Sequence, residues 1–245
     1  MLHRDPPAHN ERPSPGNVPS MPIRYLDPVR PVAASGLYSE PNHPMREVTR
    51  SVAFDTDWAP ERSQSVRGLF DGLASEWTES RDNPERILPL VDALGRGFVK
   101  GRTALEAGAG TCLFTRELCA RFDLVVAMDL SLAMLSHAVT TEAPLLNADA
   151  SRLPFSDDVA DVIVLVNMLL FPSEVERCLS PTGAVVWVSS RAEGTPIHLS
   201  AEEVWRPPCP QRRQVVGPAS HRGPEPVRGV SYAGNRHPLR RCSLA

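Results

Sequence analysis

The chain has 245 residues, a formal net charge of −3 and a 42% apolar composition, enough for one α/β domain with a proper core. That balance favours neither a nucleic-acid partner nor a membrane, and the longest apolar run, Val162 to Phe171, is broken by Asn167 and too short to span a bilayer. The five cysteines are scattered and form no C-x-x-C pair, which argues against a disulfide framework or a zinc site and makes a reducing cytoplasm the expected setting.

Residues 1–44 hold ten prolines and no apolar period. Proline at that density blocks regular hydrogen bonding and predicts a disordered arm. Two helices are predicted over 45–100. In the first, Val66, Leu69, Phe70, Leu73 and Trp77 recur at helical spacing behind Pro60. In the second, Ile87, Leu88, Val91, Leu94 and Phe98 do so after Asn83-Pro84. Packing into a core and covering a cleft are both open to such helices.

From residue 101 the pattern changes to alternating strand and helix. Strands are predicted near 103–107, 124–129, 144–147, 161–166 and 183–189, and helices near 111–121, 131–139 and 173–179. Such alternation predicts a parallel sheet covered on both faces, with a ligand at the carboxyl ends of its first strands. The segment Thr103–Cys112, T-A-L-E-A-G-A-G-T-C, is a strand ending in Glu106 and a glycine turn, Gly108-Ala109-Gly110. Glycine lets the chain bend sharply there and bring bare backbone N–H groups to a ligand. A dinucleotide turn would need a third glycine where Leu113 stands. A carboxylate at Glu106 would also repel a pyrophosphate and attract an ammonium or sulfonium. About twenty residues on, Leu124–Met128 ends in Asp129, the spacing of one helix and one strand, which puts an acceptor where ribose hydroxyls lie.

These words resemble the class I S-adenosylmethionine (SAM)-dependent methyltransferases. E-A-G-A-G-T-C is similar to their first motif, with Cys112 in place of its last glycine. V-V-A-M-D-L-S-L-A-M-L is similar to the second. Asp149 in L-L-N-A-D, R-L-P-F at 152–155 leading to Asp161–Asn167, and L-S-P-T-G at 179–183 continue the likeness. The resemblance covers roughly residues 60–193 and implies a Rossmann-like, doubly wound, mostly parallel sheet with SAM as cofactor. It implies that Glu106, Ala107, Gly108 and Gly110 hold the methionine end. Asp129 with Leu130 would hold the ribose, and Asp149 with Ala150 the adenine. Asn167 would face the ligand or serve as a hydrogen-bonded amide, whereas Asp161 positions a strand. His137 lies at the periphery, and no catalytic residue stands out.

The pattern breaks late. Ser200-Ala201-Glu202-Glu203 announces a helix, which Arg206-Pro207-Pro208 stops, and residues 206–245 hold eight arginines and seven prolines without an apolar period. A frame change near Trp205 would explain the conflict; Gln214–Val216 and Val227–Tyr232 remain strand-like. The expected organisation is a disordered arm (1–44), helices over the cleft (45–100), a SAM-binding core (101–205) and an irregular tail (206–245) lacking regular late strands. The expected function is methyl transfer to a small-molecule acceptor, without nucleic acid, membrane or metal. The alternative is a non-catalytic remnant of that fold.

Overall fold

The computed structural model describes residues 43–55, 57–190 and 195–204, together with the backbone of short strands at 25–26, 214–220 and 228–230. The disordered arm and irregular tail expected at the two ends therefore fall, those strands apart, outside the described residues.

Five parallel strands form the centre: β2 (Thr103–Ala107), β3 (Leu124–Asp129), β4 (Leu145–Asn147), β5 (Ala160–Val166) and β6 (Leu179–Val188). Their order is β6-β5-β2-β3-β4. The chain winds from β2 out to β4, then returns to the other side of β2 for β5, so β2 and β5 flank the point where winding reverses. A crevice opens at such a point because the connections leave in opposite directions. Each strand lies within a few residues of its expected position. β5 is apolar along nearly its whole length, with Val162, Ile163 and Val164 fully buried, as a strand covered on both faces must be.

At the edge beyond β6, β7 (Gln214–Ser220) pairs in parallel with it, β8 (Arg228–Val230) pairs antiparallel with β7, and β1 (Tyr25–Leu26) pairs antiparallel with β8. Both strand-like pieces of the tail thus contain strand.

Asp161 ties two central strands together at their entry. Its Oδ2 accepts the backbone N–H groups of Arg102 at 2.8 Å and Thr103 at 3.0 Å, and these bonds hold its carboxyl below the usual range. Gly101 gives it room, since a Cβ there would lie 2.3 Å from the Asp161 Cβ. The strand-positioning role expected of Asp161 is what the structure shows. Replacing Asp161 with Ala should lower the unfolding free energy by about 1–2 kcal/mol, water replacing part of the loss at this partly exposed site. An unchanged midpoint in urea would refute the role.

Helices α4 (Thr115–Cys119), α5 (Leu132–Ser136) and α6 (Pro172–Cys178) connect the strands. All three are short. α4 starts four residues later than predicted because the glycine turn runs on to Phe114 as irregular turn. Ser131 caps α5 by accepting the Met134 N–H. Ahead of the sheet come α1 (Pro44–Asp55), α2 (Pro60–Arg81), the 3₁₀ turn η1 (Pro84–Ile87) and α3 (Leu88–Arg96).

The two predicted amphipathic helices behave differently. α3 packs into the core, but through Leu90, Ala93 and Leu94, while Phe98 of the predicted stripe is 72% exposed. The buried face is offset from the predicted stripe: Leu90, Ala93 and Leu94 share the face turned to the core, whereas Leu88 of the predicted stripe is exposed. In α2 only Ala74 is buried, so α2 is a cover and not a core helix. The short α7 (Ala201–Val204) carries the expected capping box, with Ser200 N–H donating to Glu203 and Glu203 N–H to Ser200 Oγ.

Candidate functional site

The turn after β2 is the pivot of the site. Gly108 and Gly110 sit at φ +73° and +58°, the left-handed region that costs an L-residue roughly 1–2 kcal/mol. Cys112 also sits there, at φ +63°. That gives a backbone reason for a glycine at this place in related motifs, and it corrects the expectation that Cys112 lies in the first turn of a helix. Burial pushes the Cys112 thiol up to about 11, so it stays a protonated packing group.

The turn's N–H groups are not bare. Those of Gly108 and Ala109 donate to the Met128 carbonyl at 2.9 Å, that of Cys112 donates to the Ala109 carbonyl, and that of Gly110 donates to Asp129 Oδ2 at 2.8 Å. The turn is therefore a hairpin of backbone tied to the end of β3, and it offers shape and closeness in place of donors.

Glu106 and Ala107 lie beneath this turn, each 1% exposed, and neither lines the cavity above it. Thr115 Oγ1 donates to Glu106 Oε2 at 2.6 Å, while Oε1 has no partner. Burial pushes the Glu106 carboxyl up to about 7, against the Thr115 bond and with the help of nearby Asp129. A carboxylate so placed acts on a cationic ligand through space rather than by contact.

Asp129 ends β3 and faces the cavity. Its Oδ2 holds Gly110 and its Oδ1 accepts the Ser131 N–H at 2.8 Å. Burial raises its pKa, while these backbone bonds oppose the rise and Asp71 adds to it. Each oxygen keeps a lone pair beyond these bonds, so Asp129 can both set the turn and receive hydroxyl donors. Leu130 and Ser131 continue the rim.

Asp149, past β4, is gripped from across the chain. Trp58 Nε1 donates to both its oxygens, at 3.1 and 2.9 Å, and Ser63 Oγ donates at 3.2 Å. The Ser151 N–H adds a local bond at 2.8 Å. Trp58 itself packs edge-on against Phe171, with ring centroids 5.2 Å apart. Ala150 sits beside Asp149 on the wall. Asn167, at φ +51° after β5, lines the cavity and also accepts the Ser190 N–H at 2.9 Å through Oδ1. Both of its expected roles are thus compatible with its place. His137 caps the end of α5 and is not among the lining residues.

α2 roofs the cavity. Val66, Leu69, Phe70, Leu73 and Trp77, the stripe read from the sequence, all line it. The roof is fastened along its length by polar bonds: Ser131 Oγ donates to Asp71 at 2.5 Å and Thr78 Oγ1 to Thr111 Oγ1 at 2.8 Å. Between roof and sheet lies a cavity of about 470 Å³, within the range of about 300–1,000 Å³ usual for ligand sites. Of the candidate residues, Gly108, Gly110, Asp129, Leu130, Asp149, Ala150 and Asn167 come together on it. Trp58, Ser63, Asp71 and Trp77 also take part in the site, although the sequence motifs do not mark them for it. Trp77 is marked in the sequence only as part of the apolar stripe of α2, and Trp58, Ser63 and Asp71 carry no periodic signal.

Comparison with known proteins bears on the same segment. A family described as a methyltransferase domain matches residues 105–186. Demethylmenaquinone methyltransferase of Mycobacterium tuberculosis is 38% identical over 110 residues, 42% of this chain and 45% of that protein. The protein of that name from a Mycobacterium species (strain KMS) is 35% identical over 132 residues, 49% of this chain and 57% of that one. The chain thus spans about half the length of the curated relatives it matches. A solved SAM-dependent methyltransferase from Aquifex aeolicus overlays with a TM-score of 0.39 at 20% identity, covering 44% of this chain and 68% of that one.

Proposed function

We propose that this chain, whose residues 105–186 match a methyltransferase-domain family, is a class I SAM-dependent methyltransferase that transfers a methyl group to a small, largely apolar organic acceptor. The observation that carries this reading is the convergence of the glycine turn, Asp129 and Asp149 on one cavity roofed by α2. The donor set fits SAM: a turn that admits close approach, a buried carboxylate beneath it, and two carboxylates at the ends of successive strands. SAM supplies an activated methyl group on a cationic sulfur.

In this reading Gly108 and Gly110 keep the turn low, Ala107 packs under it, and Glu106 favours positive charge from below. Asp129, flanked by Leu130, receives the ribose hydroxyls. Asp149, flanked by Ala150, receives the adenine amino group in exchange for one of the donors, Trp58 or Ser63, that now occupy its oxygens. Asn167 shapes the far wall. Methyl transfer needs the acceptor held in line and water kept away more than it needs a base. The apolar side chains of α2, with Met168, Phe171 and Ile197 opposite, supply that dry enclosure. Demethylmenaquinone, the compound in the relatives' name, is the first acceptor to offer.

Calorimetric titration of the protein with SAM and, separately, with NAD tests the cofactor. Binding of SAM in the micromolar range without NAD binding is expected. Asp129→Ala should weaken SAM on the order of ten- to a hundred-fold, since hydrogen bonds to charged groups contribute roughly 1.5–3 kcal/mol. A folded variant with unchanged affinity would sink the ribose role.

A further inference from the structure

The methionine end of SAM is a zwitterion, so its carboxylate needs a cationic or N–H partner as much as its ammonium needs an anion. Of the carboxylates near the turn, Asp129 lines the cavity, Glu106 is buried beneath it and Asp71 is bonded to Ser131, and the turn's own N–H groups at Gly108, Ala109 and Gly110 are spent on Met128 and Asp129. With these three N–H groups taken, a cationic side chain is the complementary partner for the carboxylate. Four cationic-type side chains line the cavity: His43, Arg67, Arg81 and Arg86. Arg67 lies fourteen residues before Arg81, about 21 Å away along α2 at 1.5 Å per residue. His43 precedes α1, and its Nδ1 accepts the Met45 N–H.

Arg81 is held at the turn. The Trp77 indole lies against Gly110, its Nε1 3.5 Å from where a Cβ on that glycine would be. The Arg81 guanidinium stacks over the same Trp77 ring at 3.6 Å from its centroid, and its Nη1 donates to Ser80 Oγ at 2.6 Å. Thr78, between them in sequence, is bonded to Thr111 of the turn at 2.8 Å, which fixes this last part of α2 in place. A guanidinium has five N–H donors, more than the Ser80 bond uses, in the planar geometry that carboxylates pair with bidentately.

We propose that Arg81, on its Trp77 platform, is the clamp for the amino-acid carboxylate of the cofactor. This assignment rests on the SAM reading of the site. Arg81 is the last residue of α2, so cofactor binding would fasten that end of the roof to the turn.

The test compares two ligands on the full chain by calorimetry. S-adenosylhomocysteine carries the amino-acid end, and 5′-methylthioadenosine lacks it. In Arg81→Met, S-adenosylhomocysteine should weaken about ten- to a hundred-fold while methylthioadenosine changes less than about two-fold. Arg81→Lys should recover part of the loss, and Arg86→Met should leave the ratio of the two affinities near that of the parent. Equal weakening of both ligands in Arg81→Met would make Arg81 a support for the fold, and no weakening, or a ratio that moves with Arg86 instead, would also overturn the clamp. Should the parent protein bind neither ligand, the SAM reading itself fails and the clamp falls with it.

Discussion

Gly108→Ala is expected to cost about 2–5 kcal/mol of stability and to abolish measurable SAM binding. At φ +73° the new side chain forces an L-residue into the left-handed region, worth roughly 1–2 kcal/mol. Its Cβ would lie 2.6 Å from Met168 Sδ, 2.9 Å from Cγ and 3.2 Å from Cβ, so a change of rotamer alone cannot clear it. Met168 cannot retreat easily either, because its carbonyl accepts the Trp187 Nε1–H at 2.9 Å. Overpacking of this kind adds roughly 1–3 kcal/mol, and what relief exists pushes Met168 into the cavity. Gly110→Ala is the control. Its φ is +58°, but the nearest atom to a new Cβ is Trp77 Nε1 at 3.5 Å, so only the backbone cost of roughly 1–2 kcal/mol should appear. Urea denaturation of both variants, with SAM titration, checks the pair. Equal losses at the two glycines would contradict the steric argument.

Glu106→Gln should make the protein more stable at pH 8 and a poorer SAM binder. Burial raises the Glu106 carboxyl from 4.5 to about 7, so between these values the folded chain holds a proton that the unfolded chain has released. The favourable contribution is complete below about pH 4.5 and is lost as pH rises through about 7. A gap of about 2.5 units corresponds to roughly 3 kcal/mol. Glutamine is neutral throughout, and its amide oxygen can still accept from Thr115. The stability difference between variant and parent should therefore grow from pH 4.5 to pH 8 and then level off. Parallel stability curves across that range would show that Glu106 does not carry this buried charge. Loss of SAM affinity alongside the gain in stability is the expected signature of a carboxylate kept for its ligand, since the Thr115 bond offsets only part of the cost of its ionisation.

The sheet is legible in the sequence because buried parallel strands are short apolar runs, and the run lengths and their spacing locate β2 to β6 to within a few residues. The strand-tying role of Asp161 is legible because the residue opens an apolar run, and the places of Asp129 and Asp149 on the cavity follow from their standing just at or past strand ends. The phase of α3 is not, because the apolar residues from Leu88 to Leu94 fit two faces of the helix and only packing against the rest of the fold selects one. The start of α4 is hidden because glycine and Cys112 sustain an irregular turn as readily as a helix.

The α/β alternation, the strand lengths and the glycine turn at the cavity end of the sheet arise from local apolar pattern and turn chemistry, which depend on neighbours a few residues away. The fate of each polar group does not. That the turn's N–H groups are consumed by Met128 and Asp129, that Trp58 reaches Asp149 across 91 residues, that Thr78 meets Thr111 and that the stripe on α2 is a roof were settled by folding. An N–H or a carboxylate has many possible partners along a chain, and only closure of the sheet, with the helix laid across it, selects one.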